Sequence, residues 1–152
     1  MIRPAQSEDL EHLIILCEKH AHFERADYKS KGKSEALAKA LFGENPALYC
    51  LVAESQESLI GYATYMVQFS TWDAQPYLYL DCLYLEKSAR GKGLGKIFME
   101  RIKAEAKRLG CRLIQWQTPD FNQNAIAFYQ NLGAEAKSKL RFFWSVSEEP
   151  VS

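Results

Sequence analysis

Tyr77-Leu78-Tyr79-Leu80-Asp81-Cys82-Leu83-Tyr84-Leu85, followed after four residues by Arg90-Gly91-Lys92-Gly93-Leu94-Gly95-Lys96, is the stretch whose reading decides the fold. Its first nine residues are almost continuously apolar, as expected of a strand buried on both faces. A carboxylate inside such a strand, Asp81, is anomalous, because burying a charge without a partner is costly. The second half places three glycines at alternate positions at the start of an amphipathic helix. That helix has the apolar stripe Leu94, Ile97, Phe98, Ile102, Ala106 and Leu109, and Gly110 as its stop. Glycine lets a backbone approach a ligand closely, and the first turn of a helix offers unpaired N–H groups to an anion. Arg90, Lys92 and Lys96 add positive charge there. Strand, loop and helix together read as a pyrophosphate site or, more plainly, as a tight glycine turn with solvated lysines.

Working outward, Ile2–Pro4 is a short strand, and Ser7 is placed to cap a helix carrying Leu10, Leu13, Ile14, Cys17 and Ala21 at helical spacing. A second helix runs from a Ser34 cap to Phe42, stopped by Gly43. Tyr49–Glu54 and Leu59–Ser70 are strands joined by a turn at 55–58, and Asp73-Ala74-Gln75-Pro76 interrupts the run before Tyr77. Leu113–Thr118 is a strand, Asn122–Leu132 a helix closed by Gly133, and Leu140–Val146 a final strand. Glu148–Ser152 is expected to fray. Hairpins combined with strand–helix–strand units predict an α/β fold: a mixed, largely antiparallel sheet with helices on both faces.

The chain has 152 residues with 19 Lys+Arg against 19 Asp+Glu, a length that predicts one domain. The charge balance argues against a protein-wide basic surface, but it is a cancellation. From 44 to 85 the only charges are Glu44, Glu54, Glu57, Asp73 and Asp81, whereas 86–112 holds nine basic residues against Glu86, Glu100 and Glu105. An acidic stretch followed by a basic one predicts two partners of opposite charge meeting in one molecule. Cys17, Cys50, Cys82 and Cys111 lack C-x-x-C spacing and read as reduced thiols of a cytoplasmic protein. No metal site is expected, because His12, His20 and His22 have no completing ligands. No apolar run reaches the roughly 18 residues of a membrane span.

Spacing narrows the phosphate readings. The G-x-x-x-x-G-K-[ST] of a Walker loop is absent, and G-x-G-x-G late in the chain is not the G-x-G-x-x-G that opens a dinucleotide fold. What fits is R-x-x-G-x-G/A at Arg90–Gly95, which resembles the acetyl-CoA loop of the GNAT acyltransferase superfamily. The resemblance extends to Ile2-Arg3-Pro4-Ala5 and to Asn122…Ala127-Phe128-Tyr129…Leu132-Gly133-Ala134. Phe42-Gly43-Glu44-Asn45-Pro46, Cys50–Glu54, Phe69-Ser70-Thr71-Trp72 and Leu78–Asp81 resemble its diamine acetyltransferase branch, which includes spermidine/spermine and thialysine acetyltransferases.

The resemblance implies a GNAT-like fold with splayed central strands, acetyl-CoA as co-substrate, and direct attack of an amine on the thioester. It implies that Leu83 N–H polarises the thioester carbonyl, that Leu83, Tyr84 and Leu85 line the pantetheine, and that Arg90, Gly91, Lys92, Gly93, Leu94, Gly95 and Lys96 hold the pyrophosphate. Asn122 would bond the pantetheine arm. Tyr129 would protonate the leaving thiolate, and Asp81 would face the amine directly or through water. Phe23, Glu24, Trp72, Asp73, Asp81 and Gln117 would surround the acceptor, with a homodimer sharing the site. Cys82 stands where the branch has a second acid, and Lys137-Ser138-Lys139-Leu140 replaces acidic and tryptophan positions. Fewer acids and two new cations argue against a long polyamine and leave a short diamine, a thialysine-like amino acid or another small amine. The same fold acting on a protein amine or an aminoglycoside, and a non-catalytic CoA- or nucleic-acid-binding module, are the alternatives.

Overall fold

The computed structural model describes residues 1–147. One five-stranded sheet runs in the order β1 (Ile2–Pro4), β2 (Tyr49–Ser55), β3 (Ser58–Ser70), β4 (Gln75–Leu85), β5 (Ile114–Gln115). The first four strands are antiparallel neighbours and β5 joins β4 in parallel, so the sheet is mixed and largely antiparallel, as the sequence predicts. Helices α1 (Leu10–Phe23) and α2 (Lys33–Phe42) cover one face; α3 (Leu94–Arg108) and α4 (Gln123–Asn131) cover the other.

Period-two alternation divides the core. Leu51 and Ala53 of β2 pack with Phe98, Ile102 and Ala106 of α3, while Cys50 and Val52 pack with Leu13, Leu16 and Leu41 of α1 and α2. In β4 this phase changes. Leu78 and Leu80 belong to the α3 side, yet Cys82 and Tyr84 belong to the α1 side. The register explains the switch: Tyr65 pairs with Leu80 and Thr64 with Cys82, leaving Asp81 as an extra residue. That is a β-bulge, and one additional residue sends every later side chain to the opposite face. It also resolves the anomaly of the strand, because Asp81 is exposed rather than buried.

Other expectations need correction. Ser7 is not the first cap: a short 3-10 turn at Ser7–Asp9 precedes α1, and the Asp9 carboxylate accepts from Gln6 N–H at 2.8 Å. Arg3 clamps that carboxylate through both guanidinium nitrogens, at 2.8 and 2.9 Å, and reaches Glu54 at 3.2 Å. Ser34 lies inside α2, whose cap is Gly32 at φ 76°. In α3 the inward residue is Met99, while Ile97 faces outward. β5 is shorter than Leu113–Thr118, because only Leu78↔Ile114 and Tyr79↔Gln115 pair before the strands part.

Leu140–Val146 forms no strand. It is an irregular arm with Leu140 83% exposed, Phe142 89% and Trp144 93%. Before the arm, the Ala134 N–H donates to the Tyr129 carbonyl at 3.2 Å, closing the end of α4. The expected frayed end, Glu148–Ser152, lies outside the described residues. Among the described residues, no helix is long and apolar enough to cross a membrane.

Candidate active site

Where β5 stops, β4 continues to Leu85 with no strand on that side among the described residues, so its outer edge from Leu80 onward carries main-chain groups open to a ligand. Trp116, Gln117 and Thr118 diverge from that edge, and a cleft of about 780 Å³ opens between the two chains. Its walls are Leu80–Leu85 of β4, the 90–96 loop, the end of α1 and the start of α4.

The outer end of the cleft is made of main chain. Gly91 and Gly93 have φ of 76° and 81°, in the region where a Cβ is strained, and a Cβ at either would meet only open space. Gly93 caps α3 without a side-chain bond, so the first-turn N–H groups of Leu94, Gly95 and Lys96 are uncommitted among the described residues. Such groups at the positive end of a helix suit an anion. Gly95 serves a different need. A Cβ there would lie 3.1 Å from the Phe128 ring, so it permits α4 to approach α3. Lys96 lines the cleft, Lys92 sits exposed at the loop apex outside it, and Leu94 turns toward the core.

Arg90 has another orientation. Its Nε donates to the Leu85 carbonyl at 2.9 Å, and its guanidinium lies over the rings of Phe23 (4.5 Å) and Tyr84 (5.4 Å). It ties the end of α1 to the end of β4 and stiffens the aromatic wall.

At the inner end, side chains converge from three elements. Tyr129 of α4 packs edge-on to Trp116 at 5.1 Å; burial pushes its hydroxyl up to about 12, and the nearby Glu24 carboxylate adds to that. It therefore stays protonated at ordinary pH, as a proton donor must. Asp81 projects from the bulge with the Cys82 thiol 3.8 Å away. Burial pushes that thiol up to about 12, so Cys82 is a protonated packing group rather than a nucleophile. Asn122 caps α4, accepting from Ala125 N–H at 3.3 Å, and Gln117 donates to the Tyr79 hydroxyl at 3.0 Å.

Of the expected site residues, Phe23, Glu24, Asp81, Leu83, Tyr84, Leu85, Arg90, Gly91, Gly93, Gly95, Lys96, Gln117, Asn122 and Tyr129 meet in this cleft. Trp72 and Asp73 do not. They sit at the far tip of the β3–β4 hairpin, where Asp73 N–H donates to Ser70 Oγ and Trp72 is 96% exposed. Among the lining residues that the sequence reading did not assign to the site are a histidine and an arginine. His20 lies one helical turn before Glu24, a spacing that could have revealed it. Arg141, from the arm expected to be a strand, had no such signal.

An acidic pocket, an open strand edge and a main-chain anion cradle in one cleft are what a thioester of a phosphorylated carrier and a cationic acceptor require. Residues 10–134 match the model of the Acetyltransferase (GNAT) family. The chain belongs to the GNAT acetyltransferase family. It is an enzyme that uses acetyl-CoA, and the cradle, free edge and uncommitted N–H groups fit that co-substrate. The thialysine N-epsilon-acetyltransferase of Mus musculus is 34% identical over 142 residues, covering 88% of this chain and 83% of its own length. A structure described as a transcriptional regulator from Bacillus halodurans C-125 superposes with a TM-score of 0.81 at 23% identity, covering 95% of this chain and 99% of that one. An aminoglycoside N-acetyltransferase in complex with CoA superposes with a TM-score of 0.76 at 20% identity, covering 97% of this chain and 100% of that one. These structural likenesses carry the GNAT fold.

Proposed function

We propose that this GNAT enzyme acetylates the side-chain amine of a small amino acid of the thialysine or ornithine type, by direct attack on the thioester. The observation that carries the reading is the charge arrangement of the inner cleft: Glu24 and Asp81 suit an ammonium, and Arg141 suits a carboxylate. A long polyamine would leave that cation opposed to a second cation. The curated relatives agree with this choice, since they include thialysine N-epsilon-acetyltransferases and, at 27% identity over 81 residues, an L-ornithine N5-acetyltransferase of Arabidopsis thaliana.

Acetyl-CoA supplies the activated acetyl group. Leu83–Leu85 would pair with the pantetheine along the free edge, Gly91–Lys96 would hold the pyrophosphate, and Asn122 would bond the arm. Tyr129 donates its proton to the departing sulfur, and a cleft carboxylate takes the proton that the attacking amine gives up. Release of free CoA thiol is to be measured with lysine analogues, ornithine, diamines, polyamines, aminoglycosides and peptides. Amino acids with a side-chain amine should give the highest kcat/KM. Arg141→Gln should raise KM for them roughly fivefold, the loss of one exposed ion pair of up to about 1 kcal/mol, and leave diamines unchanged. Silence across the panel with acetyl-CoA bound would refute the reading.

We also infer a homodimer of one-domain, cytoplasmic chains. Leu140, Phe142, Trp144 and Val146 of the arm, with Phe69 and Trp72 of the hairpin tip, are exposed apolar side chains of the kind an interface buries. A second copy would cover it and bring Trp72 and Asp73 toward a neighbouring acceptor site. The double substitution Phe142→Asp/Trp144→Asp should halve the mass in light scattering; a wild-type monomer would refute the dimer.

A further inference from the structure

His20 is the residue of the cleft that the mechanism above leaves unused, and its contacts are specific. Its Nε2 lies 2.7 Å from Glu24 Oε2 and its Nδ1 2.7 Å from the Tyr62 hydroxyl. The ring is stacked on Tyr84 at 5.2 Å and 25°, which fixes its plane. Tyr62 is buried at 2% exposure and belongs to the core beneath α1. With Tyr62 O–H donating to Nδ1, the neutral imidazole carries its proton on Nε2 and donates it to Glu24. One carboxylate oxygen is thereby held, and the other is left for the cleft.

Asp81 has no comparable support. It is exposed, and its side-chain neighbour is a thiol at 3.8 Å, a weak donor. Glu24 also lines the same cleft as the proton donor Tyr129. We propose that Glu24 is the base that takes the acceptor amine's proton and that His20, locked by Tyr62, is the positioning residue that aims it, leaving Asp81 to bind the ammonium. This deepens the amine-acetyltransferase reading and rests on it. In the step, the nitrogen–carbon bond forms as carbon–sulfur breaks. The ammonium sheds two protons, one to become the nucleophile and one as the new bond forms, and both pass in turn through Glu24 to water in the open cleft. The Tyr129 proton goes to sulfur and is replaced from water.

The groups around His20 bear on its pH behaviour from every packed element. They are Cys17 and Glu24 on α1, Tyr62 on β3, and Asp81, Cys82 and Tyr84 on β4. Arg90 adds a charge from the loop, over the Tyr84 ring, and Tyr129 lies beyond Glu24 on α4.

The kinetic test compares pH profiles for the best amine. His20→Gln should lower kcat about tenfold and displace its acidic limb, with acetyl-CoA affinity intact. Tyr62→Phe, which keeps the ring and removes the lock, should do the same in milder form and stands in if the first variant misfolds. Asp81→Asn should raise KM with the acidic limb in place. A wild-type acidic limb in both His20→Gln and Tyr62→Phe, or its loss in Asp81→Asn, overturns the assignment while leaving the acetyltransferase reading standing. Wild-type silence on all amines defeats that reading instead.

Discussion

The outer and inner ends of the cleft are built from different parts of the polypeptide. The end proposed for the phosphates consists of consecutive residues, Gly91 to Lys96, whose available groups are main-chain N–H donors and whose geometry follows from two positive φ angles. The end proposed for the acceptor draws Glu24, Asp81 and Tyr129 from positions far apart in sequence, each aimed by a different element. A common cofactor can be held by backbone, which every sequence possesses. A particular acceptor has to be recognised by side chains. Damage at the two ends should therefore register in different constants.

The largest effect is expected at the acceptor end, where Tyr129→Phe should lower kcat about 10²-fold, the lower range for a lost proton donor. Isothermal titration should show its acetyl-CoA affinity intact. A matched fall in affinity would erase the division between the ends. Next comes Gly93→Ala, which forces a Cβ to φ 81° at a strain of about 1–2 kcal/mol. Its acetyl-CoA Kd should rise up to about tenfold, with kcat at saturation close to wild type. The smallest effect is global. Tyr129 and Cys82 hold their protons to about 12 when folded, against ordinary values of 10.0 and 9.0. Above pH 9 the unfolded chain therefore binds fewer protons than the folded one, so stability falls as pH rises. Chemical denaturation from pH 8 to 11 should show a falling midpoint, with Tyr129→Phe flattening the slope.

The same contrast governs what could be read in advance. The phosphate loop is local, so its glycine spacing displayed it, and the buried β4 and amphipathic α3 followed from apolar pattern. The acceptor end is assembled by tertiary contact. Glu24, Asp81 and Tyr129 came through family resemblance, while His20 acquired meaning only when Tyr62 and Tyr84 were seen beside it. The bulge at Asp81 showed only as a carboxylate out of place in an apolar run, because an extra residue shifts the phase of a strand without a spacing signal of its own. The expected final strand failed for a physical reason: Leu140–Val146 has strand-like side chains, yet a strand needs a hydrogen-bonding neighbour, and this arm makes no ladder among the described residues.

The bulge has one more consequence. Because Asp81 belongs to neither ladder pairing of β4, its side chain can be exchanged without repacking the α1 core or the α3 core. Such a position is a neutral corridor for evolution: charge, length and polarity can drift there at little cost in stability. Deleting the residue, by contrast, would return Cys82 and Tyr84 to the wrong side of the sheet. On the acceptor-binding role proposed for Asp81, substitution at 81 can tune the acceptor while the strand's length stays fixed by its register.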